Sequence, residues 1–231
     1  MVEKLVTIAK IHNDFPTKFG IPRQSNLVEG LSATVVFEPD FRVPEALRGL
    51  CEFSHIWLLW GFSEAKRETW SPTVRPPRLG GNARVGVFAS RSPYRPNAIG
   101  LSSVRLVRIE TSPSLGPILH VLGADMMDGT PIYDIKPYLP YVDCLPNASG
   151  GFAAEAPASV LHVEAAQEQL SALPQGKRQV LLDLLAKDPR PSYHDDPGRV
   201  YGFVFAGCEI KFTVKEKTLK ILEVTEKNHR G

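Results

Sequence analysis

A chain of 231 residues, 43% of them hydrophobic, suffices for one large β domain, alone or with a smaller appendage. No apolar run reaches the length of a membrane span, and the N-terminal MVEKLVTIAKIHND lacks a signal-peptide core, so a cytoplasmic protein is expected. The formal net charge of +2 and three scattered cysteines (Cys51, Cys144 and Cys208, with no CxxC) exclude a strongly charged chain and a disulfide framework.

The first half reads as β. VTIAKI (6–11), ATVVFE (33–38), SHIWLLWGF (54–62), RVGVFA (84–89), LSSVRLVRI (101–109) and PILHVLGAD (117–125) are short and rich in β-branched and aromatic residues. Gly, Pro, Asn or Ser bounds each. HIWLLWGF is almost continuously apolar, which predicts a strand buried on both sides in a closed barrel. PEALRGL (44–50) is the one helical signal here, with Pro44 at a favourable first position. The composition breaks at NASGGFAAEAPAS (147–159), where a domain boundary is expected, giving 1–150 and 151–231. Beyond it, GKRQVLLDLLAKD carries Val180, Leu181, Leu184 and Leu185 on one helical face. RVYGFVFAG, CEIKFTVKE and TLKILEVT then read as three strands, with Ile210, Phe212 and Val214 inward. The fold expected is mainly β: a closed or nearly closed barrel with a small C-terminal α+β module. At about seventy residues that module is too small to stand well alone, so it should dock on the barrel.

Charge is distributed unevenly. Between Ser71 and Ile109 there is no Asp, Glu or Lys, yet the window holds Arg75, Arg78, Arg84, Arg91, Arg95, Arg105 and Arg108. Arginine without lysine suits forked recognition of carboxylate or phosphate. For Arg105 and Arg108 the wet face of a sheet, with acids as partners, is the plainer reading. For the window as a whole the pattern points to an anionic partner.

The common enzyme signatures are absent: no GxSxG, no HExxH, no Gly-rich loop ending in GK[ST]. RLGGNARVG is not a strand–GxGxxG–helix, and the six histidines lack metal-ligand spacing, so no metal is expected. HDDPG (194–198) reads as a solvated turn. Three constellations remain. Ile21-Pro22-Arg23-Gln24-Ser25 fixes an arginine and an amide in the loop after the first strand. RPPRLGGNARVGVFASRSPYRPNAIGLS forms the arginine-rich block, in which Gly100 is expected to turn the chain back into the sheet. ADMMDGTPIYDIKPYLPYVD places Asp125, Asp128, Asp134 and Asp143 near Lys136 and Tyr138. DGTP is a turn in its own right, and the prolines around Lys136 and Tyr138 predict a stiff loop on a barrel rim.

Together GIPRQ, FSHIWLLWGF, RPPRLGGNARVGVFASRSPYRPNAIGLS, DGTPIYDIKPYLPY and LAKDPRPSY resemble the TsaA/TrmO family. The resemblance spans almost the whole chain. It implies a homodimeric β-barrel methyltransferase using S-adenosyl-L-methionine. The implied reaction is methylation of N6 of the threonylcarbamoylated adenosine 3′ to the anticodon in threonine tRNAs. It further assigns Pro22, Arg23, Gln24, Arg91, Leu101 and the segment Asp125, Met126, Met127, Asp128 to the cofactor, with Ser63 and Glu64 near it. Such a transfer needs an acceptor for the amine proton or a positioning group, for which Asp128, Asn97, Asp134 and Tyr138 are candidates. Arg95 and Lys136 suit the anionic side of the substrate. The alternative is a non-catalytic RNA-binding barrel that uses the basic block with Tyr94 and Tyr138 for stacking.

Overall fold

A computed structural model describes residues 5–64, 69–154, 160–190 and 196–227. Six strands close a barrel in the order β1-β2-β7-β6-β3-β8: β1 (Ala9–His12), β2 (Ser32–Phe37), β3 (His55–Gly61), β6 (Ile99–Ser112), β7 (Gly116–Leu122) and β8 (Pro131–Pro137). Between β3 and β6 lies a small lobe built on the two-residue strands β4 (Thr73–Val74) and β5 (Val85–Gly86). The barrel pairs are antiparallel, and alternate residues such as Ile11, Val35, Leu58, Val104, Leu119 and Ile132 fill the interior.

Several local expectations are corrected. β3 buries one face only: Ile56, Leu58 and Trp60 face inward, while Trp57 and Leu59 are half-exposed on the outer wall. PEALRGL forms a single short 3-10 turn, Pro44–Leu47, and RVGVFA yields only β5 followed by the 3-10 turn Val87–Ala89. Lys136 is not in a loop but near the end of β8, the strand that closes the barrel against β1 and β3. Its prolines sit at the two ends, Pro131 and Pro137, where a missing N–H costs the ladder least. Gly100 is not a turn residue but pairs with Trp60 inside the β3–β6 ladder, and a Cβ there would lie 2.2 Å from the indole. Its hydrogen atom leaves room for the Trp60 ring, which caps the barrel interior.

The C-terminal module is a four-stranded sheet in the order β10-β11-β12-β9: β9 (His162–Glu164), β10 (Tyr201–Phe205), β11 (Cys208–Lys215) and β12 (Thr218–Glu226). The short helix α1 (Pro140–Asp143) ends the barrel segment, and α2 (Gln175–Ala186) packs Val180, Leu181, Leu184 and Leu185 onto the C-terminal sheet. Phe15, Val28 and Leu31, from the long loop between β1 and β2, belong to this second core. The same loop places Gly20, at φ +96°, against the Phe203 ring, and Lys177 of α2 holds Asp14 at 2.5 Å and Ser32 at 2.7 Å. The module is docked on the barrel through that loop. All three cysteines are free, with Cys208 buried.

Candidate active site

Strand direction decides which loops meet. The ends of β1, β3 and β7 and the starts of β2, β6 and β8 share one rim, so residues 13–31, 62–98 and 123–130 all emerge there. The arginine-rich block, the Pro22-Arg23-Gln24 segment and the Asp125–Asp128 segment, distant in sequence, therefore converge.

A polar chain lies at their junction. The Trp60 indole donates to the Ser102 hydroxyl at 3.0 Å, and Ser102 donates to the Asp125 carboxylate at 2.5 Å. Burial pushes the Asp125 carboxyl above the ordinary carboxylate range, opposed by Ser102, by the backbone N–H groups of Asp125 and Ser25, and by the charge of Arg91. Arg91 donates to the Gln24 side-chain carbonyl, which ties the arginine block to the 21–26 loop. Arg23 donates at 3.0 Å to the backbone carbonyl of Arg190, a residue of the C-terminal module. Asn26, at φ 62°, closes the loop: its N–H donates to the Gly123 carbonyl at 2.9 Å and its amide to the Ser103 carbonyl at 3.0 Å.

Other expected residues lie close by. Phe62 N–H donates to the Ala98 carbonyl at 3.0 Å, and Lys18 reaches the Glu64 carbonyl at 2.9 Å, which sets Ser63 and Glu64 on the same rim. Arg95 donates to the Ser90 carbonyl at 3.3 Å, while Asn97 is exposed and its carbonyl accepts from Ile99 N–H at 2.8 Å. Leu101 points outward, opposite in direction to Ser102, and is 53% exposed. Pro22 is half-buried, the Met126 side chain is sunk in the barrel core, and the Met127 carbonyl accepts from Thr130 N–H at 3.2 Å. Asp128 stands on the rim but faces β1: its carboxylate accepts from Asn13 N–H at 3.0 Å and lies 3.2 Å from His12 Nδ1. Those contacts tether the 125–130 segment to the end of β1.

The remaining candidates are not on this rim. Asp134 and Lys136 form an ion pair of 2.9 Å on the outer wall, beside Leu59 and Trp57. Tyr138 donates its N–H to the His55 carbonyl at 3.0 Å and packs on Trp57 at the opposite rim. From Gly61 to His55 the strand runs roughly 20 Å, so within one chain Tyr138 is far from Asp125. At that end Asp143 accepts from the Trp57 indole at 2.9 Å and from Leu139 N–H at 2.8 Å. The Leu139 N–H foremost, then the indole, holds the Asp143 carboxyl below its ordinary value. Arg108 pairs with Glu110 at 3.0 Å on the wet face of the sheet, the plainer reading of that arginine.

Sequence reasoning missed Trp60, Ser102, the Ser25 backbone, Asn26 and Arg190. Trp60, Ser102, Ser25 and Arg190 stand inside motifs quoted above without being marked apart from their neighbours, and Asn26 directly follows one. They look like ordinary strand alternation or turn material. His194 and Asp195 of HDDPG, and Pro191 to Tyr193 of LAKDPRPSY, lie outside the described residues. Among the described residues no three His, Cys, Asp or Glu side chains gather as a metal site, and no helix is long and apolar enough to cross a membrane.

The sequence model of the tRNA-methyltransferase O N-terminal domain matches residues 10–144, and that of the TrmO C-terminal domain matches residues 155–227. The chain belongs to the TrmO family. It is 39% identical over 222 residues, 93% of this chain and 94% of the other, to the tRNA (adenine(37)-N6)-methyltransferase of Escherichia coli K12. A Pseudomonas aeruginosa protein, 41% identical over 87% of this chain and 88% of its own, is provisionally named an S-adenosylmethionine-dependent methyltransferase. The crystal structure of TrmO from P. aeruginosa superposes with a TM-score of 0.79 at 34% identity, covering 98% of each chain. The candidate site of this TrmO-family chain is the barrel rim where the Gln24, Arg91 and Asp125 segments converge.

Proposed function

We propose that this TrmO-family protein transfers the methyl group of S-adenosyl-L-methionine to N6 of adenine 37 in tRNA, acting on the threonylcarbamoylated base of threonine tRNAs. It does so in the cytoplasm as a homodimer, with residues 1–150 as the catalytic unit and 151–231 as its support. The observation that carries this reading is the half-buried Asp125 carboxylate, held by Ser102 between Ser25 and Arg91. A carboxylate lifted by burial welcomes a neighbouring cation, and a guanidinium welcomes an anion. The residues thus fit a ligand that is at once a sulfonium and a carboxylate.

Bound, that ligand supplies an electrophilic methyl group. The chain supplies position. Pro22, Arg23, Gln24, Arg91 and Asp125 hold the methyl donor on the rim, with Ser63, Glu64, Leu101 and the 126–128 backbone around it. An in-line displacement gains most of its rate from alignment. The exocyclic amine is a weak nucleophile, and an acceptor on its N–H raises its reactivity. Asp128 and Asn97 stand on the rim for that task, and Arg95 suits the phosphate or threonine carboxylate.

The homodimer completes the site. Leu101 is 53% exposed and pairs with half-exposed Leu59 on the outer wall. That apolar strip carries Asp134 and Lys136 at its edge, and a second copy seated there brings their like, with Tyr138, toward the rim. Two experiments test the reading. Calorimetric titration with S-adenosylmethionine should saturate, and its failure returns the protein to the non-catalytic RNA-binding reading. Mass spectrometry of nucleosides from threonine tRNA should lose the methylated base when the gene is deleted, and an unchanged level overturns the function.

A further inference from the structure

Trp70 and Phe88 are 49% and 74% exposed, yet their rings lie 6.2 Å apart at an interplanar angle of 27°. Large aromatic side chains paired in water need a reason beyond packing. The backbone beneath them is fixed by a short ladder and loop hydrogen bonds. Val87 is buried and its N–H donates to the Pro72 carbonyl at 3.0 Å, β4 pairs with β5, and Ser71 N–H donates to the Tyr94 carbonyl at 3.2 Å. The two rings are therefore presented by a braced lobe. Within residues 70–98 they are the only exposed large hydrophobic side chains, and neither is aliphatic. The same lobe carries Arg75, Arg78 and Arg84 and, from Ser71 on, no acid.

We propose that Trp70 and Phe88 form a stacking platform for an unstacked base of the RNA substrate, with the lobe's arginines facing its phosphates. This rests on the tRNA reading above and names a contact that the reading does not contain. Aromatic faces accept any base, and an acid-free arginine surround supplies the attraction for the backbone. Aromatic rings with arginines also suit protein interfaces; the absence of any acid from Ser71 to Ile109 is what favours a polyanion here. Phe88 precedes Arg91 by three residues, at most about 11 Å of chain. A stacked single strand advances about 3.4 Å per nucleotide. The platform thus receives a base within a few nucleotides of the one being methylated.

The test compares Trp70→Ala, Phe88→Ala and Trp70→Phe with the unaltered protein, using unmethylated threonine tRNA and S-adenosylmethionine. Each alanine variant should weaken tRNA binding roughly 5- to 140-fold, with cofactor affinity, thermal midpoint and dimer mass unchanged. Trp70→Phe should restore most of the loss. Unchanged tRNA affinity in both alanine variants overturns the platform while leaving the methylation reading intact. Weaker binding accompanied by a shift to monomer also overturns it, by making the rings a contact between copies. An unaltered protein that neither binds nor methylates tRNA removes the reading beneath it as well.

Discussion

The two arginine-bearing segments of the rim are built in opposite ways. The 21–26 loop is held from both sides: Arg23 reaches the Arg190 carbonyl, Asn26 locks onto Gly123 and Ser103, and flanking Phe15 and Val28 sink into the C-terminal core. The 69–98 lobe stands on a two-residue ladder and a few loop hydrogen bonds, with its aromatic pair turned to solvent. The difference matches the two ligands proposed. A small, fixed cofactor rewards a site already organised before it arrives. A large polyanion needs an open, charged surface that meets it by field and by stacking.

That contrast can be broken at named residues. Arg91→Ala leaves Asp125 without its neighbouring cation and Gln24 without its donor. Cofactor affinity should fall about 10- to 150-fold by the usual worth of a charge-assisted hydrogen bond, read by calorimetry. An unaffected affinity would detach Arg91 from the cofactor side. Gly100→Ala forces a Cβ to within 2.2 Å of the Trp60 ring. Overpacking of this kind should lower stability by about 1–3 kcal/mol, measured by urea denaturation, and an unshifted midpoint would show that the ring yields. Arg23→Ala removes one exposed bond to a backbone carbonyl. Its effect should be the smallest, a few-fold on cofactor affinity, and an unchanged affinity would remove Arg23 from the residues that hold the methyl donor.

Two of the shifted carboxylates, Asp143 and Asp125, give opposite signs with pH. Asp143 has a depressed folded-state value, so its bonds to Leu139 and Trp57 stabilise the fold above the unfolded carboxylate range. That contribution is lost as pH falls through the folded value. Asp125 has a raised folded-state value, so the folded state holds its proton more tightly and ionisation costs stability as pH rises through that value. Because a sulfonium favours the ionised form, cofactor affinity should climb across the same interval, and Asp125→Asn should flatten the climb. A pH-independent affinity in the unaltered protein would remove Asp125 from contact with the charge.

Much of this was legible in the residues themselves. Ile210, Phe212 and Val214 are buried as their alternation predicts, and so are Val180, Leu181, Leu184 and Leu185 of α2. The barrel strands from ATVVFE, HIWLLWG and PILHVL lie where β-branched residues put them. The errors share a cause. Proline is a strong local signal, and Pro137 and Pro140 made Lys136 read as part of a loop, although closing the barrel puts it in β8. Tyr138 does follow the strand on a rim, but on the one opposite Asp125. Ser102 escaped notice because one hydroxyl in an alternating strand is ordinary; only the fold turns it toward Asp125. His162–Glu164 joins the C-terminal sheet as a three-residue parallel edge, too short to leave a pattern.

The central claim is methyl transfer to adenine 37 of tRNA from a cofactor held on this rim. Purified protein, incubated with S-adenosylmethionine labelled in its methyl group and with threonine tRNA from a strain lacking the gene, tests it most directly. The account predicts label in the threonylcarbamoylated adenosine, as its N6-methyl derivative, and its loss in the Arg91→Ala variant at limiting cofactor. Label in another nucleoside, or none from folded protein saturated with cofactor and tRNA, would contradict it.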